Sequence, residues 1–467
     1  MSQNRHHIGT TVAVADSGMK LLTLALFLVF STVFHSASAE SDQVTPLWTQ
    51  RLSYQARIDL ALDPENKRLD VMTFTLKEDN VGLALLAAAV DVVKAGGKSR
   101  IGYDSYSSKI SPELAAYVIA QGVELKAFRP LDFSIAKIME NGPLEYYYYL
   151  NIRNHQKVFI TDKGVVIGSS NYTQDYILIS KRNQPDQKGR WNFLDRDILL
   201  NGPVAVDVLL DFNKKWMLEN SWKTPPVADL TEEQTTKFDE IFLKFSEELR
   251  AIRGKKELGK SFAVDANYVS DSYGPVRKNR VVHRSVLKMI AEAKSEISIW
   301  SPYVLLTPDI EEALVKAVKR GVLVKIYTNR LEGSDEGKVN VAFKGELMKL
   351  IKNGFEVYMN DMNVVFHGKV MVVDQEDIYW GSYNLNSRSK LLDAENGIVF
   401  KSKELANEIQ NGERNKIFVK KEVLPTGNRS YAIIDAVRSC REVFSSSTAA
   451  FIDVPWSIQT KVLRPFM

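Results

Sequence analysis

Beyond residue 39 the chain holds three histidines, His155, His283 and His367, and two of them stand in nearly the same run of residues. The first run reads His155-Gln156-Lys157-Val-Phe-Ile-Thr-Asp162 and reaches Gly168-Ser169-Ser170-Asn171. The second reads His367-Gly368-Lys369-Val-Met-Val-Val-Asp374 and reaches Gly381-Ser382-Tyr383-Asn384. One His-x-Lys on a strand is ordinarily a chance surface pair. The same pair twice, with the same spacing to Asp and the same Gly-Ser-x-Asn sequel, is a duplicated functional motif.

The chemistry that fits is phosphoryl transfer without a metal. Residues two apart on an extended strand face the same way, so each His and its Lys project together. Lys157 and Lys369 can neutralise an anionic phosphodiester and the charge of its transition state, the task a divalent cation performs elsewhere. Asn171 and Asn384 add amide donors for the non-bridging oxygens. One imidazole can attack phosphorus while the other protonates the leaving oxygen and later activates the acceptor, splitting one hard displacement into two. No cofactor is implied. The single cysteine, Cys440, allows neither an intramolecular disulfide nor a cysteine metal site.

With its duplicated His-x-Lys-x4-Asp and Gly-Ser-x-Asn, the chain resembles the phospholipase D superfamily over roughly residues 69–423. The second half is similar to the bacterial cardiolipin synthase branch through Pro302-Tyr303, Thr328-Asn329, and the run from Gly381 through Asn384, Asn386, Arg388 and Ser389 to Glu395. The resemblance implies an α/β fold of two pseudo-symmetric α/β/α sandwich lobes with mixed sheets, and an active site at the lobe interface. It implies that His155 is the nucleophile, forming a phosphohistidine, and that His367 is the general acid and base. Lys157, Lys369, Asn171 and Asn384 would hold the phosphate, with Ser169 and Ser382 beside them. An acidic residue downstream of each motif orients a histidine, and Asp195 and Glu395 match those positions. Asp197 lies close by, but Gly202-Pro203 and Trp216 fit the family spacing better from Asp195. Asp162 and Asp374 are members of the catalytic motif whose role in the family is more structural than chemical. Tyr383 stands where the family usually has a smaller side chain or phenylalanine, and is expected to narrow the pocket.

The elements that must position these residues also repeat. In the first half, a buried strand at 69–75 leads to an apolar helix at 81–94, a strand at 100–103, a helix opened by Ser111-Pro112, and a strand at 123–127. In the second, a strand at 296–300 leads to a helix opened by Thr307-Pro308, a strand at 322–327, a helix at 346–352, and a strand at 355–358. Each motif then opens a hairpin, turning at Lys163-Gly164 or at residues 375–377. The strands alternate with helices twice over, the pattern of an α/β chain.

These readings divide the chain into a signal peptide (1–39), an N-terminal lobe (40–222), a helical bridge (223–270), a C-terminal lobe (271–422) and a C-terminal extension (423–467). Arg5 and Lys20 precede an apolar run at 21–34, and Ala37-Ser38-Ala39 supplies small residues for cleavage, so export to the periplasm or medium is expected. Met19 is an alternative start. A phospholipid substrate at a membrane surface is the expected partner, and a monomer the expected state. Gly254-x-x-x-x-Gly259-Lys260-Ser261 matches a nucleotide-binding loop in letters, but a charged helix precedes it where a strand is required, so no nucleotide is expected. Removing Arg5, Lys20 and Asp16 leaves 59 basic and 56 acidic residues, a balance too even to announce nucleic acid.

Within this chemistry, hydrolysis and transfer share a first step and the residues do not choose between them. An exported metal-independent nuclease and a non-catalytic lipid-binding protein are the alternatives. Tyr146–Tyr149, read as strand, offers a lipid-facing patch or plain core packing. Phe133, Ile135 and Ile138 could extend that surface. A basic loop from Lys181-Arg182 to Arg190 could touch anionic headgroups. His283 is expected at the surface or at a helix start.

Overall fold

Each half is organised around three parallel strands whose side chains alternate between two cores, as a two-residue period requires. The computed structural model describes residues 41–421 apart from 131–138, 140–141, 178–192, 219, 255–256, 275–277, 331–336, 361–363 and 413–416. The signal segment, the C-terminal extension, Phe133, Ile135, Ile138 and the 181–190 loop lie outside the described residues.

In chain order the first half contributes β1 (Asp42–Leu47), β2 (Arg68–Thr73), β3 (Lys98–Asp104), β4 (Glu124–Phe128), β5 (Arg153–Asn154), β6 (Val158–Thr161), β7 (Gly164–Gly168), β8 (Phe193–Leu194), β9 (Asp197–Asn201), β10 (Trp222–Lys223) and β11 (Phe262–Val264). The second contributes β12 (Ala266–Ser270), β13 (Glu296–Trp300), β14 (Leu323–Asn329), β15 (Glu356–Asn360), β16 (Val365–Phe366), β17 (Val370–Val373), β18 (Asp377–Gly381), β19 (Asp393–Ala394), β20 (Asn396–Lys401) and β21 (Phe418–Lys421).

One sheet runs β10-β4-β3-β2-β6-β7-β9-β1-β11 and the other β12-β20-β18-β17-β13-β14-β15-β21. In each, three parallel strands continue into an antiparallel hairpin, so both sheets are mixed. The duplication is therefore one of topology as well as of motif.

Alternation builds the layers. Met72, Ile160, Val165 and Ile167 join Val370, Val372, Trp380 and Ile398 in a central core shared by both sheets. Val71, Phe159 and Val166 face an outer core under the helix Asn80–Lys94, and Met371 and Val373 face another that includes Ile290 and Leu314. The helices start where capping chemistry dictates. Asp79 accepts the backbone N–H of Val81 and Gly82, and Ser111 accepts that of Leu114 ahead of Pro112. Such a cap contributes about 1 kcal/mol.

Two elements differ from their sequence reading. Residues 223–270 are only partly helical: helix Glu232–Ile252 packs on the first lobe through Phe242 and Leu249, then β11 extends the first sheet and β12 begins the second. Those strands are too short to announce themselves among charged neighbours. Tyr146–Tyr149 lie in a helix, Pro143–Asn151, because Gly142 turns the chain at positive φ and Pro143 opens a helix. Tyr146 is buried there, while Tyr148 stands 37% exposed. Among the described residues no helix is long and apolar enough to cross a membrane.

Candidate active site

The histidines sit in links between two short strands rather than within long ones. β5 pairs in parallel with β19, setting Arg153 opposite Asp393 and Asn154 opposite Ala394, and the His155 N–H then donates to the Ala394 carbonyl at 3.0 Å. The other lobe repeats this. β16 pairs in parallel with β8, and the His367 N–H donates to the Leu194 carbonyl at 2.8 Å. Each two-stranded ribbon takes one strand from each lobe, so the residue that follows the partner strand is delivered to the opposite lobe's histidine.

That residue is a carboxylate in both cases. His155 Nδ1 lies 2.8 Å from Glu395 Oε2, and His367 Nδ1 lies 2.7 Å from Asp195 Oδ1. The geometry selects Asp195 over Asp197 as the orienting acid. Asp197 instead accepts the backbone N–H of Ser169 and Ser170 and pairs with buried Arg57 at 3.2 Å, fixing the first Gly-Ser-x-Asn corner.

Both motif lysines are buried and curl back on their own histidines. Lys157 Nζ donates to the His155 carbonyl at 2.7 Å, and Lys369 Nζ to the His367 carbonyl at 2.6 Å. Burial, with Lys157 next, holds His155 well below its ordinary range. Burial and Lys369, opposed by Asp195, bring His367 down to about 3. Both imidazoles are therefore neutral at neutral pH, the form in which a ring nitrogen can act as nucleophile or base. Lys369 also acts on His155, and Lys157 on His367, so each motif feels the other's charge. Burial pushes Lys157 down to about 8 and Glu395 up to about 7.

Of the two asparagines, Asn171 accepts the Thr75 N–H at 3.2 Å with its amide oxygen, which leaves its amide N–H groups as donors. Asn384 holds a buried amide oxygen with no partner among the described residues. The serine hydroxyls bond within the protein. Ser382 Oγ donates to Glu395 at 2.5 Å, and Ser169 Oγ accepts the Arg196 N–H at 2.9 Å. Asp162 and Asp374 lie at the hairpin turns. Asp374 accepts N–H groups from Lys294, Ser295 and Glu296, and Asp162 accepts that of Lys67. Burial would raise the Asp374 carboxyl, but those N–H groups hold it below its usual value.

Some neighbours have no signal in the sequence. Phe74 meets the His155 ring at 5.0 Å, and Tyr176, Phe193 and Tyr303 surround His367 at 5.3, 5.3 and 6.1 Å. Single aromatics with no repeat partner do not stand out from the other aromatics of the chain. Tyr383 packs into the second lobe's outer core, with its hydroxyl 2.7 Å from His283 Nδ1, rather than narrowing the site. His283 lies at a helix start, in the first turn of Val281–Glu292, but it is buried rather than at the surface, with Tyr383 and Asp309 satisfying both ring nitrogens.

Residues 286–413 match the family described as Cardiolipin synthase, PLD-like domain. Cardiolipin synthase C of Escherichia coli (strain K12) is 23% identical over 398 residues, covering 77% of this chain and 82% of that protein. A cardiolipin synthase of Geobacillus kaustophilus (strain HTA426) is 24% identical over 337 residues, covering 70% of this chain but only 57% of its own length. The crystal structure of a phosphatidylserine synthase from Haemophilus influenzae Rd KW20 superposes with a TM-score of 0.61 at 12% identity, covering 91% of this chain and 95% of that one. Two α/β lobes that exchange carboxylates across a pair of His-x-Lys motifs define an enzyme of the phospholipase D type. These likenesses support the phospholipase D superfamily, in its cardiolipin-synthase-like branch.

Proposed function

We propose that this enzyme transfers the phosphatidyl group of a glycerophospholipid to an alcohol through a covalent phosphohistidine, in the manner of a cardiolipin synthase, with water as the competing acceptor. The observation that carries this reading is the crossed pairing of His155 with Glu395 and of His367 with Asp195. A carboxylate on Nδ1 fixes the tautomer that presents Nε2 to the substrate, so two imidazoles are prepared for one phosphorus. The family resemblance favours His155 as the nucleophile. His367, which takes up a proton balanced by Asp195 when the anionic phosphodiester binds, gives it from Nε2 to the departing alkoxide and afterwards takes the proton of the incoming hydroxyl, regenerating free His155 as the new phosphodiester forms. Lys157, Lys369 and the amides of Asn171 and Asn384 bear the phosphate charge throughout.

Export is part of the same proposal. The basic residues ahead of the apolar run at 21–34, and Ala37-Ser38-Ala39 after it, support a cleaved signal. Phosphodiester exchange suits an exported enzyme because it consumes no nucleotide-activated donor.

The test is incubation of the purified protein with phosphatidylglycerol vesicles in EDTA. Cardiolipin and free glycerol are expected, with phosphatidic acid as the hydrolytic branch. An acid-labile phospholipid adduct should be trapped on the protein and lost in His155→Ala. Absence of turnover of any glycerophospholipid overturns the proposal, and degradation of single-stranded DNA under the same conditions would favour a nuclease.

A further inference from the structure

The two histidine–carboxylate pairs are held very unequally. Asp195 has one oxygen on His367, and its other, buried oxygen has no partner among the described residues. Glu395 is bound at every atom that can be bound. Ser389 Oγ donates to Oε1 at 2.5 Å, Ser382 Oγ donates to Oε2, and the Ser389 hydroxyl also accepts the backbone N–H of Asn384 at 3.1 Å.

Behind Glu395 lies an ion pair that the transfer chemistry does not use. Asp271 and Lys278 bond each other with both side chains fully buried. The Asp271 N–H donates to the Glu395 carbonyl at 2.8 Å, and the Glu395 N–H reaches Asp271 Oδ2 at 3.3 Å. Lys278 Nζ donates to the Ser389 carbonyl at 2.6 Å, and Asp271 Oδ1 accepts the Val282 N–H at 3.1 Å. The pair thus grips the backbone of both Glu395 and Ser389, the residues that aim His155 and support Asn384. At the matching place in the first lobe, after β1, Thr49 caps the helix Gln50–Ala61 and the Gln50 amide donates to the Phe193 carbonyl, while the buried pair of that lobe, Arg57 and Asp197, holds the Ser169 and Ser170 N–H groups.

We propose that Asp271 and Lys278 are positioning residues for the reaction: they lock Glu395 and Ser389 in place and thereby fix the His155 imidazole, leaving the His367–Asp195 pair as the looser partner. Two buried charges are an expensive way to hold a loop that apolar packing could hold, and breaking such a pair leaves an uncompensated charge. Their grip on the backbone of Glu395 and Ser389 is accounted for by a geometric demand at His155. The inference rests on the proposed roles of His155 and Glu395 in phosphatidyl transfer.

The experiment compares wild type, Lys278→Met, the charge-free double variant Asp271→Asn/Lys278→Met, and the conservative Lys278→Arg. Single loss of Lys278 is expected to impair folding, so the double variant carries the test. It should remain folded, keep its KM for phosphatidylglycerol within about twofold, lose at least tenfold in kcat, and shift the pH at which kcat falls. Lys278→Arg should recover most of kcat. A folded double variant with wild-type kcat and pH profile overturns the proposal, as does a loss of kcat that merely tracks the unfolded fraction. A second reading does not need turnover. Only three histidines follow residue 40, so the ring resonances of His155 can be titrated by NMR. The double variant should shift those of His155 and leave those of His367 in place. Should the wild type turn over no phospholipid, the functional reading fails while this titration still decides whether the pair positions His155.

Discussion

His155 is oriented by a carboxylate that its own lobe does not contain: Nδ1 lies 2.8 Å from Glu395 Oε2, 240 positions away in the chain. The reciprocal pair, His367 and Asp195, closes the exchange. Neither lobe alone therefore holds a complete histidine–acid unit. Glu395→Gln and Asp195→Asn keep the side-chain volume but lose the charge that stabilises an imidazolium and selects the tautomer. Each should lower kcat for phosphatidyl transfer by roughly 10²- to 10⁴-fold with little change in KM. Steady-state kinetics on phosphatidylglycerol check this, and a loss confined to KM would contradict it.

The second Gly-Ser-x-Asn corner has no room at its glycine. A Cβ on Gly381 would lie 2.3 Å from the Asn396 carbonyl oxygen and 2.5 Å from the Tyr379 hydroxyl, which itself receives the Tyr383 N–H at 3.2 Å. Gly381→Ala must push the corner away from β20 and move Ser382 off Glu395. A stability loss of about 2 kcal/mol is expected by analogy with overpacked cores. At least a tenfold fall in kcat should accompany it, measured beside the denaturation midpoint.

At the first corner the equivalent job falls to a buried ion pair. Arg57 and Asp197 are almost wholly excluded from solvent, 3.2 Å apart, and Asp197 carries the Ser169 and Ser170 N–H groups. Arg57→Met strands the carboxylate in a low-dielectric site, at a cost of about 3–5 kcal/mol. The double variant Arg57→Met/Asp197→Asn should recover a good part of that loss, because an amide oxygen still accepts the two N–H groups without a buried charge. Urea denaturation of the three proteins decides it.

The paired motifs carry most of what is legible in the sequence. Repetition separates signal from chance, so the residue pattern by itself assigns His155, Lys157, His367 and Lys369 to one site. Glu395 can be matched through the family resemblance, but nothing in the chain says that it serves the opposite lobe, since β5, β8, β16 and β19 have two residues each and no periodicity. The helix opened by Ser111-Pro112 starts at its cap, and the one opened by Thr307-Pro308 starts at its proline. The Tyr146–Tyr149 helix is hidden because a tyrosine run satisfies a strand pattern equally well, and its deciding residues are Gly142 and Pro143. Asp271 and Lys278 are unreadable for a different reason. A buried ion pair looks, in sequence, like two ordinary surface charges.

The depressed pKa of His367 has a consequence for stability that can be followed by pH. In the unfolded chain this imidazole takes its proton near its ordinary value of 6.5, whereas in the fold it does so only near 3, chiefly because of burial and then Lys369. As pH falls below 6.5 the unfolded chain gains a proton that the folded chain refuses, so stability is lost steadily until the folded value is reached. At pH 5 the penalty from this one group amounts to about 2 kcal/mol, while at pH 7.5 it is near zero. His367→Asn removes the titrating ring. Whatever the variant loses at pH 7.5 through the missing contact with Asp195, the gap between it and wild type should narrow by that amount on going to pH 5. Denaturation curves at the two pH values measure the change directly, and a gap that stays constant would mean that His367 is protonated in the fold.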